Sequence, residues 1–184
     1  MTERRIGWRA AYLLAAFGIY LVDQASKAWA VRALRFGQTK TLISNFLILE
    51  YAENPGIAFG GLQESGAFGR WFLIALAAAA AVAVLFYFFR TPRSDDRVLG
   101  ACALLLAGIV GNLTDRVRLG YVIDFILVHL GSYRWPNFNV ADASISVGAL
   151  LLALDMIFDS RRQKSGISGQ NKIQEARVNS QESE

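Results

Sequence analysis

Two aspartates in the second half of the chain stand where a carboxylate is costly. Asp124 lies between Ile123 and Phe125 in the stretch GNLTDRVRLGYVIDFILVHL, and Asp142 lies in FNVADASISVG. Two carboxylates that share an apolar site cannot both ionise cheaply, so one keeps a proton while the other stays charged. Such a pair can activate a water molecule and protonate a leaving group. The two residues therefore predict hydrolysis by a pair of aspartates.

Asp142 also has a purely structural interpretation. Asn139 followed by Asp142 three residues later resembles a capping box, and a carboxylate is favourable at a helix N-terminus. The sequence alone leaves the two roles open. The segment that joins Asp124 to Asp142 is short enough to fold back on itself, and this would bring the two acids together.

Further polar residues lie at the ends of apolar segments. Asp23 and Lys27 are four residues apart on one helix face, as a structural ion pair or as a hydrogen-bond scaffold beside a site. The groups Gly111-Asn112 and Asp115-Arg116 either meet water at the end of a span or belong to the same site. Asn54-Pro55-Gly56 is a turn signal. These residues are the candidates for supporting the two aspartates.

We expect no metal and no other cofactor. The sequence has one histidine, His129, and one cysteine, Cys102, and it lacks the HExxH, Gly-x-Ser-x-Gly and Walker A patterns. Alternation along a strand would place His129 on the face opposite Asp124, as an interfacial residue. Cys102 lies in an apolar run and is predicted to be a small packing residue. A pair of aspartates needs only water.

The composition indicates a membrane protein of one domain. Hydrophobic residues make up 54% of the 184 residues and charged residues 18%, with a mean hydropathy of +0.32. This is too apolar for an ordinary soluble domain. The net charge of +4 comes from basic residues at segment ends. We interpret them as topology signals and expect no nucleic-acid binding.

Four apolar segments predict four transmembrane helices. Trp71–Phe89 carries no charge, and at about 1.5 Å per residue it crosses a hydrocarbon core of roughly 30 Å. The other three are Ala10–Val22, which continues helically to about Ala33, Val98–Leu113 and Ala143–Phe158.

The first apolar segment has an alternative interpretation as a secretory signal. Basic residues precede it, and Ala28-Trp29-Ala30 imitates a cleavage site. Cleavage there would leave three spans and would remove Asp23 and Lys27, whose spacing indicates a purpose.

The connections that carry the candidate residues are predicted to form a small sheet. Leu42–Tyr51 and Tyr121–Leu130 are rich in aliphatic and aromatic residues at strand length. In the second stretch, alternation places Val122, Asp124, Ile126 and Val128 on one face. We expect this sheet to lie on the outer membrane surface, with Asp124 projecting from a strand at the edge of the bilayer.

Four sequence blocks at the ends of the spans resemble lipoprotein signal peptidase (signal peptidase II), the membrane aspartyl endopeptidase of bacterial lipoprotein maturation. The blocks are DQASK (23–27), NPGIAFG (54–60), GNLTDRVRLGYVIDF (111–125) and FNVADASISVG (138–148), and the resemblance covers about residues 8–160. It implies that Asp124 and Asp142 are catalytic. It also implies supporting or substrate-binding roles for Asp23, Lys27, Asn54, Asn112, Asp115, Arg116 and Asn139, and small-residue positions at Gly56, Gly108 and Ala141.

The resemblance further implies an all-α membrane protein in which four transmembrane helices carry a small extracytoplasmic β-sheet and a short surface helix. Residues 1–164 would form a single peptidase domain, and residues 165–184 a disordered, dispensable cytoplasmic tail. The implied partners are membrane lipids and diacylglyceryl-modified prolipoproteins, which are cleaved on the N-terminal side of the lipobox cysteine. We expect a monomer in the bacterial cytoplasmic (inner) membrane, with its active site at the outer face.

Two other classes of membrane protein fit parts of the pattern. A small transporter or proton-coupled carrier would also bury Asp, Lys and Arg, but it should place them near mid-bilayer. Here the charges gather at one end of the segments. A structural membrane adaptor would not need two aspartates with apolar neighbours. Cleavage of a lipopeptide in detergent separates these classes from a peptidase.

Lys and Arg are dense at residues 4–9, 90–97 and 161–164, which predicts that both termini are cytoplasmic and that residues 34–70 and 115–141 are outside. Reporter fusions at Thr91 and Gln163 should therefore report a cytoplasmic location, and a fusion at Gln63 should report an external location. A cytoplasmic Gln63 would contradict this topology, because both aspartates would then face the wrong compartment.

Overall fold

The computed structural model describes residues 3–56 and 67–158 of the chain. Within these ranges the protein is mostly helical and has one small antiparallel sheet. The elements in chain order are α1 (Glu3–Leu34), β1 (Thr39–Ile43), β2 (Leu47–Asn54), α2 (Ala67–Arg90), α3 (Asp96–Arg118), β3 (Val122–Leu130), β4 (Tyr133–Arg134) and α4 (Val140–Phe158).

Three of the described helices are long and apolar enough to cross a membrane, namely α2, α3 and α4. The apolar stretch of α3 is 67% buried inside the protein, whereas the apolar stretches of α2 and α4 are 11% and 17% buried. The central helix is therefore α3, and the other two present most of their surface outward. Helix α1 is longer, at 32 residues, but includes Asp23 and Lys27. That α1 is a fourth span remains a prediction.

The helices pack around α3 through small and aliphatic side chains. Phe88 of α2 forms a buried cluster with Val98, Leu99 and Cys102 of α3, and Tyr12 of α1 packs against it. Cys102 is thus the packing residue that its apolar neighbours predicted. Farther along, Ala16 of α1 meets small residues of α3. The contacts advance in the same direction along both helices, so α1 and α3 run parallel.

Glycines allow α3 and α4 to approach closely. A Cβ atom at Gly108 of α3 would collide with the backbone oxygen of Ala141 and lie 2.6 Å from Cγ1 of Ile145. A Cβ atom at Gly148 of α4 would lie 2.9 Å from the backbone oxygen of Ala101. The backbones of α3 and α4 therefore lie closest where Gly108 faces Ala141, two of the small-residue positions that the resemblance implies.

The four strands form a sheet in the order β1-β2-β3-β4. The predicted strand over Tyr121–Leu130 is confirmed as β3, but the prediction of one strand over Leu42–Tyr51 is wrong. The chain turns at residues 44–46, where Asn45 has a φ of 57°, so this stretch contains the end of β1 and the beginning of β2. Asparagine tolerates this left-handed conformation, and its apolar neighbours concealed the turn.

The segment after β4 returns along β3 and places the start of α4 beside that strand. The backbone N–H groups of Phe125 and Ile126 donate to the backbone oxygen of Phe138 (3.1 and 2.9 Å), and Phe138 donates to the backbone oxygen of Ile126 (3.0 Å). Asn139 follows immediately. The predicted return of the chain between Asp124 and Asp142 therefore takes place by strand-like pairing.

Some of the sequence predictions concern other parts of the chain. The short surface helix implied by the resemblance is not one of the elements found in residues 3–56 and 67–158. Ile57–Gly60 of the NPGIAFG block, the tail from Ser165 and the reporter positions Gln63 and Gln163 lie outside the described residues. Helix α1 continues through Ala28-Trp29-Ala30 without a break.

We predict that Gly108→Ala destabilises the protein by about 1–3 kcal/mol, because the added methyl group overpacks the contact between α3 and α4. The matched control is Gly100→Ala in the same helix, where a Cβ atom would meet only Tyr12, at 4.0 Å. Thermal unfolding in detergent should show a lower Tm for Gly108→Ala and no loss for Gly100→Ala. Equal Tm values would contradict the close approach at Gly108.

Candidate active site

A buried lysine lies at the centre of the polar residues. The ammonium group of Lys27 is 2.9 Å from Oδ2 of Asp23 and 2.8 Å from Oδ2 of Asp115, and it donates to Oδ1 of Asn112 (3.0 Å). Lys27 is 2% exposed and Asp23 is fully buried. A charge so removed from water is tolerable only when paired and hydrogen-bonded, and here all three donors of the ammonium have a partner.

The two carboxylates around Lys27 also bind backbone groups of other elements. Oδ1 of Asp23 accepts from the backbone N–H of Ala141 in α4 (2.9 Å), and Oδ2 of Asp115 accepts from the N–H of Ile123 in β3 (3.3 Å). The Asp23–Lys27 pair thus connects α1 to α3, α4 and the sheet. The sequence left open whether Asp23 and Lys27 form an isolated ion pair or a hydrogen-bond scaffold. The structure shows a scaffold.

Two asparagine amides connect this scaffold to the acids. Asn112 accepts from Lys27 and donates from Nδ2 to Oδ1 of Asp142 (2.8 Å). Asn139 donates from Nδ2 to Oδ1 of Asp124 (2.8 Å) and to Oδ1 of Asn112 (3.2 Å). Both asparagines are buried. The polar cluster at the end of α3 is therefore part of a site and not a solvated helix end.

Asp124 and Asp142 meet on opposite sides of Asn139. While the side chain of Asn139 binds Asp124, its backbone N–H donates to Oδ2 of Asp142 (3.2 Å). The other oxygen of Asp124 accepts from Nδ2 of Asn54 (3.0 Å). Asp124 is 2% exposed. The structure thus brings the two aspartates to the same asparagine.

Burial and, as the smaller cause, the negative charge of Asp142 raise the pKa of Asp124 to about 6. Hydrogen bonds from Asn54 and Asn139 and the charge of Lys27 oppose this shift. A carboxyl group with this pKa holds its proton more readily than an ordinary aspartate near neutral pH. Asp124 is thus poised between its acidic and its ionised form.

Asp142 also forms the capping box that its spacing predicted. Its backbone N–H donates to Oδ1 of Asn139 (2.8 Å), while its own Oδ2 accepts from the backbone N–H of Asn139. Its Oδ1 remains for Asn112. The structural interpretation and the site interpretation are therefore compatible, because the cap is what fixes the carboxylate of Asp142 beside Asp124.

The remaining predicted residues surround this pair. The Arg116 guanidinium lies close enough to Asp142, Asp124 and Asp115 to attract all three. Its Nε is buried and has no hydrogen-bond acceptor in the described part of the chain. Gly56 donates from its backbone N–H to Oδ1 of Asn54 (2.9 Å) and thereby orients that amide.

Sequence reasoning did not assign a role to Gln24. Its amide nitrogen donates to Oδ2 of Asp23 (3.1 Å) and to Oδ1 of Asp115 (3.2 Å), so it joins the two carboxylates that hold Lys27. Its position inside the DQASK block was the available signal. Gly111, which the sequence grouped with Asn112, leaves space for the same carboxylate, because a Cβ atom there would lie 2.6 Å from Oδ2 of Asp23.

The two acids lie close enough for the charge of Asp142 to favour the protonated form of Asp124. The ammonium of Lys27 occupies the position between Asp23 and Asp115 where a cation would otherwise balance these carboxylates. Among residues 3–56 and 67–158, no three His, Cys, Asp or Glu side chains form a group suited to a metal ion. General acid–base chemistry by Asp124 and Asp142 is the reaction type that these groups support.

The family of the chain follows from comparison with known proteins. The family model for signal peptidase (SPase) II matches residues 15–158. A lipoprotein signal peptidase of Cellvibrio japonicus is 43% identical over 149 residues, which cover 80% of this chain and 86% of that protein. One of Geobacter metallireducens is 44% identical, over 78% of this chain and 88% of that protein.

Solved structures agree with this relationship. A bacterial membrane enzyme determined by the in meso method at 2.3 Å resolution has a TM-score of 0.71 and 26% identity to this chain. The similarity covers 82% of this chain and 90% of that one. The family match spans both aspartates and the whole scaffold around Lys27, and the chain therefore belongs to the signal peptidase II family.

Proposed function

We propose that the protein is a membrane aspartyl endopeptidase that cleaves the signal peptide from prolipoproteins, on the N-terminal side of the diacylglyceryl-modified lipobox cysteine. The observation that carries this proposal is the position of Asn139 between Asp124 and Asp142, one acid on its side chain and the other on its backbone. The names of the relatives supply the substrate class.

The two acids differ in a way that suggests their roles. Asp142 takes a proton from a bound water, whose oxygen attacks the carbonyl carbon of the scissile peptide bond. Asp124, whose pKa is raised to about 6, donates its proton to the carbonyl oxygen. In the second half of the reaction Asp142 gives its proton to the amide nitrogen, Asp124 takes a proton back from a hydroxyl of the tetrahedral intermediate, and the C–N bond breaks. The new carboxyl group leaves with the signal peptide, and both acids return to their starting forms.

The surrounding groups support this chemistry without needing a cofactor. The positive charge of Arg116 attracts both acids, and its buried Nε has no hydrogen-bond partner among the described residues. Asn54, Asn112 and Asn139 hold the carboxyl oxygens in fixed directions, so little reorganisation is needed during proton transfer. Preorganised donors of this kind are worth more in a dry site than in water.

The location of the acids fits a substrate that is itself held in the bilayer. They lie where α3 ends and α4 begins, next to the sheet. We propose that the enzyme has four spans. An apolar signal peptide can then lie along the helices, with its cleavage site at the helix ends that carry the two acids. We propose that the site faces the outer side of the bacterial inner membrane, that both termini are cytoplasmic, that membrane lipids surround the spans and that the enzyme acts as a monomer.

Replacing either aspartate should abolish turnover. Asp124→Asn and Asp142→Asn keep the size of the side chain but cannot cycle a proton, so each should lower kcat by about 10⁴-fold or more. The double variant should be scarcely worse than either single one, because residues that act as a unit are non-additive. The measurement is cleavage of a diacylated lipobox peptide by each purified variant, normalised to folded protein.

The matched control is Asp155→Asn near the C-terminal end of α4, which should remain active. Asp159→Asn should also remain active, although Asp159 lies outside the described residues. If Asp142→Asn turned over substrate as fast as Asp155→Asn, Asp142 would be only a helix cap. This result would contradict the proposed mechanism.

The pH dependence should report the pKa of Asp124. Because this residue must be protonated to act as the acid, kcat/KM should fall as the pH rises above about 6. Asn54→Ala removes a hydrogen bond that favours the ionised form, so the fall should move to higher pH. Asn137→Ala, whose amide binds Glu50, should leave the profile unchanged. A shift to lower pH in Asn54→Ala would refute the assignment of Asp124 as the acid.

A further inference from the structure

The C-terminal end of α3 is capped by a side chain from another helix. Arg70, in the first turn of α2, donates from Nε to the backbone oxygen of Arg116 (3.1 Å) and from Nη2 to that of Val117 (2.7 Å). The last carbonyls of a helix have no intrahelical partner and carry the negative end of its dipole. The guanidinium of Arg70 satisfies two of them and complements that charge.

The same guanidinium lies against the turn that leads from α3 into β3. Gly120 in this turn has a φ of +90°, and a Cβ atom there would lie 3.3 Å from Nη1 of Arg70. The backbone N–H of Gly120 donates to the backbone oxygen of Arg116 (3.1 Å), which also accepts from Arg70. Asp124 follows only four residues later. The turn therefore sets the position of the strand that carries this acid.

The N-terminal part of α2 also touches the second turn beside Asp124. Gly56 has a φ of +96°, and a Cβ atom there would lie 2.5 Å from Cδ1 of Leu73. The N–H of Gly56 holds Asn54, which donates to Asp124. One end of α2 thus supports Asp124 from two sides.

We propose that Arg70 is a positioning residue for the peptidase reaction, holding the α3–β3 turn so that Asp124 stays within hydrogen-bond reach of Asn54 and Asn139. This inference rests on the proposed function. In the described part of the chain Arg70 hydrogen-bonds to backbone oxygens and to neither aspartate. It therefore acts through the turn and not on the substrate.

The test is titration of the Asp124 carboxyl group by carbon-13 NMR, in detergent and without substrate, in the wild type and in Arg70→Gln. Release of the turn should weaken the hydrogen bonds to Asp124 and raise its pKa, since those bonds favour the ionised form. The charged groups that face Asp124, namely Asp142, Lys27 and Arg116, are the same in both proteins.

The matched control is Arg118→Gln, which removes the same charge from an exposed position in the last turn of α3. It should titrate as the wild type does. A pKa in Arg70→Gln that is unchanged, lowered, or raised no more than in Arg118→Gln would overturn the proposal.

Kinetics provide a second readout. Arg70→Gln should lower kcat by about 10- to 100-fold with a small change in KM, the scale expected when a catalytic group is misplaced by about 1 Å. The alkaline fall of kcat/KM should also move to higher pH. If Arg70→Gln only reduced the amount of folded protein, kcat/KM would fall by the same factor at every pH. A uniform fall of this kind would overturn the positioning role. If the wild type cleaves no lipopeptide, the proposed function fails, whereas the carboxyl titration still decides the role of Arg70.

A conservative variant guards against failure to fold. Arg70→Lys keeps the charge, but its ammonium does not reproduce the rigid fork that holds two carbonyls together. It should give changes in the same direction as Arg70→Gln and smaller in size. If Arg70→Lys titrates as the wild type does and keeps full activity, the charge at position 70 alone is sufficient. This result would overturn the proposed role of the two guanidinium hydrogen bonds.

Discussion

The pairing of the Lys27 ammonium with Asp23 and Asp115 is the interaction on which the rest of the site depends. Three charged groups are removed from water here, and each must find its partners inside the protein. Breaking one partner of such a buried set typically costs about 3–5 kcal/mol, because an uncompensated charge remains. The same two carboxylates bind the N–H groups of Ala141 and Ile123. The charge pairing therefore fixes where α4 begins and where β3 lies.

The amides of Asn112 and Asn139 transmit this order to the acids. An amide both donates and accepts, so each asparagine can join a group of the scaffold to a carboxylate, and both are fully engaged in doing so. A buried polar network is stabilising only when its members are satisfied. Among the described residues of this site, the one buried side-chain atom left without a hydrogen-bond partner is Nε of Arg116.

Close backbone packing makes the network possible. Gly108 and Gly148 let α3 and α4 touch, and Gly111 leaves space for the carboxylate of Asp23 between α1 and α3. In a membrane, helices associate through such small residues because lipid tails provide no hydrophobic drive for helices to associate. Larger side chains at these positions would separate the helix ends, and the hydrogen bonds of about 3 Å that define the site would be lost.

The sequence by itself determined the apolar helices α2, α3 and α4 and the strand β3, because these depend on local composition and periodicity. It predicted that Asp124 and Asp142 act as a pair. It also identified Asp23, Lys27, Asn112 and Asn139 through blocks that resemble a family. It did not determine the turn at Asn45, which apolar neighbours concealed, or the roles of Gln24 and Arg70. The partners of Gln24 include residues about 90 positions away, and those of Arg70 lie 46 and 47 positions away. Only the tertiary structure decides such contacts, because hydrogen bonds between distant segments depend on helix packing and leave no periodic trace in the sequence.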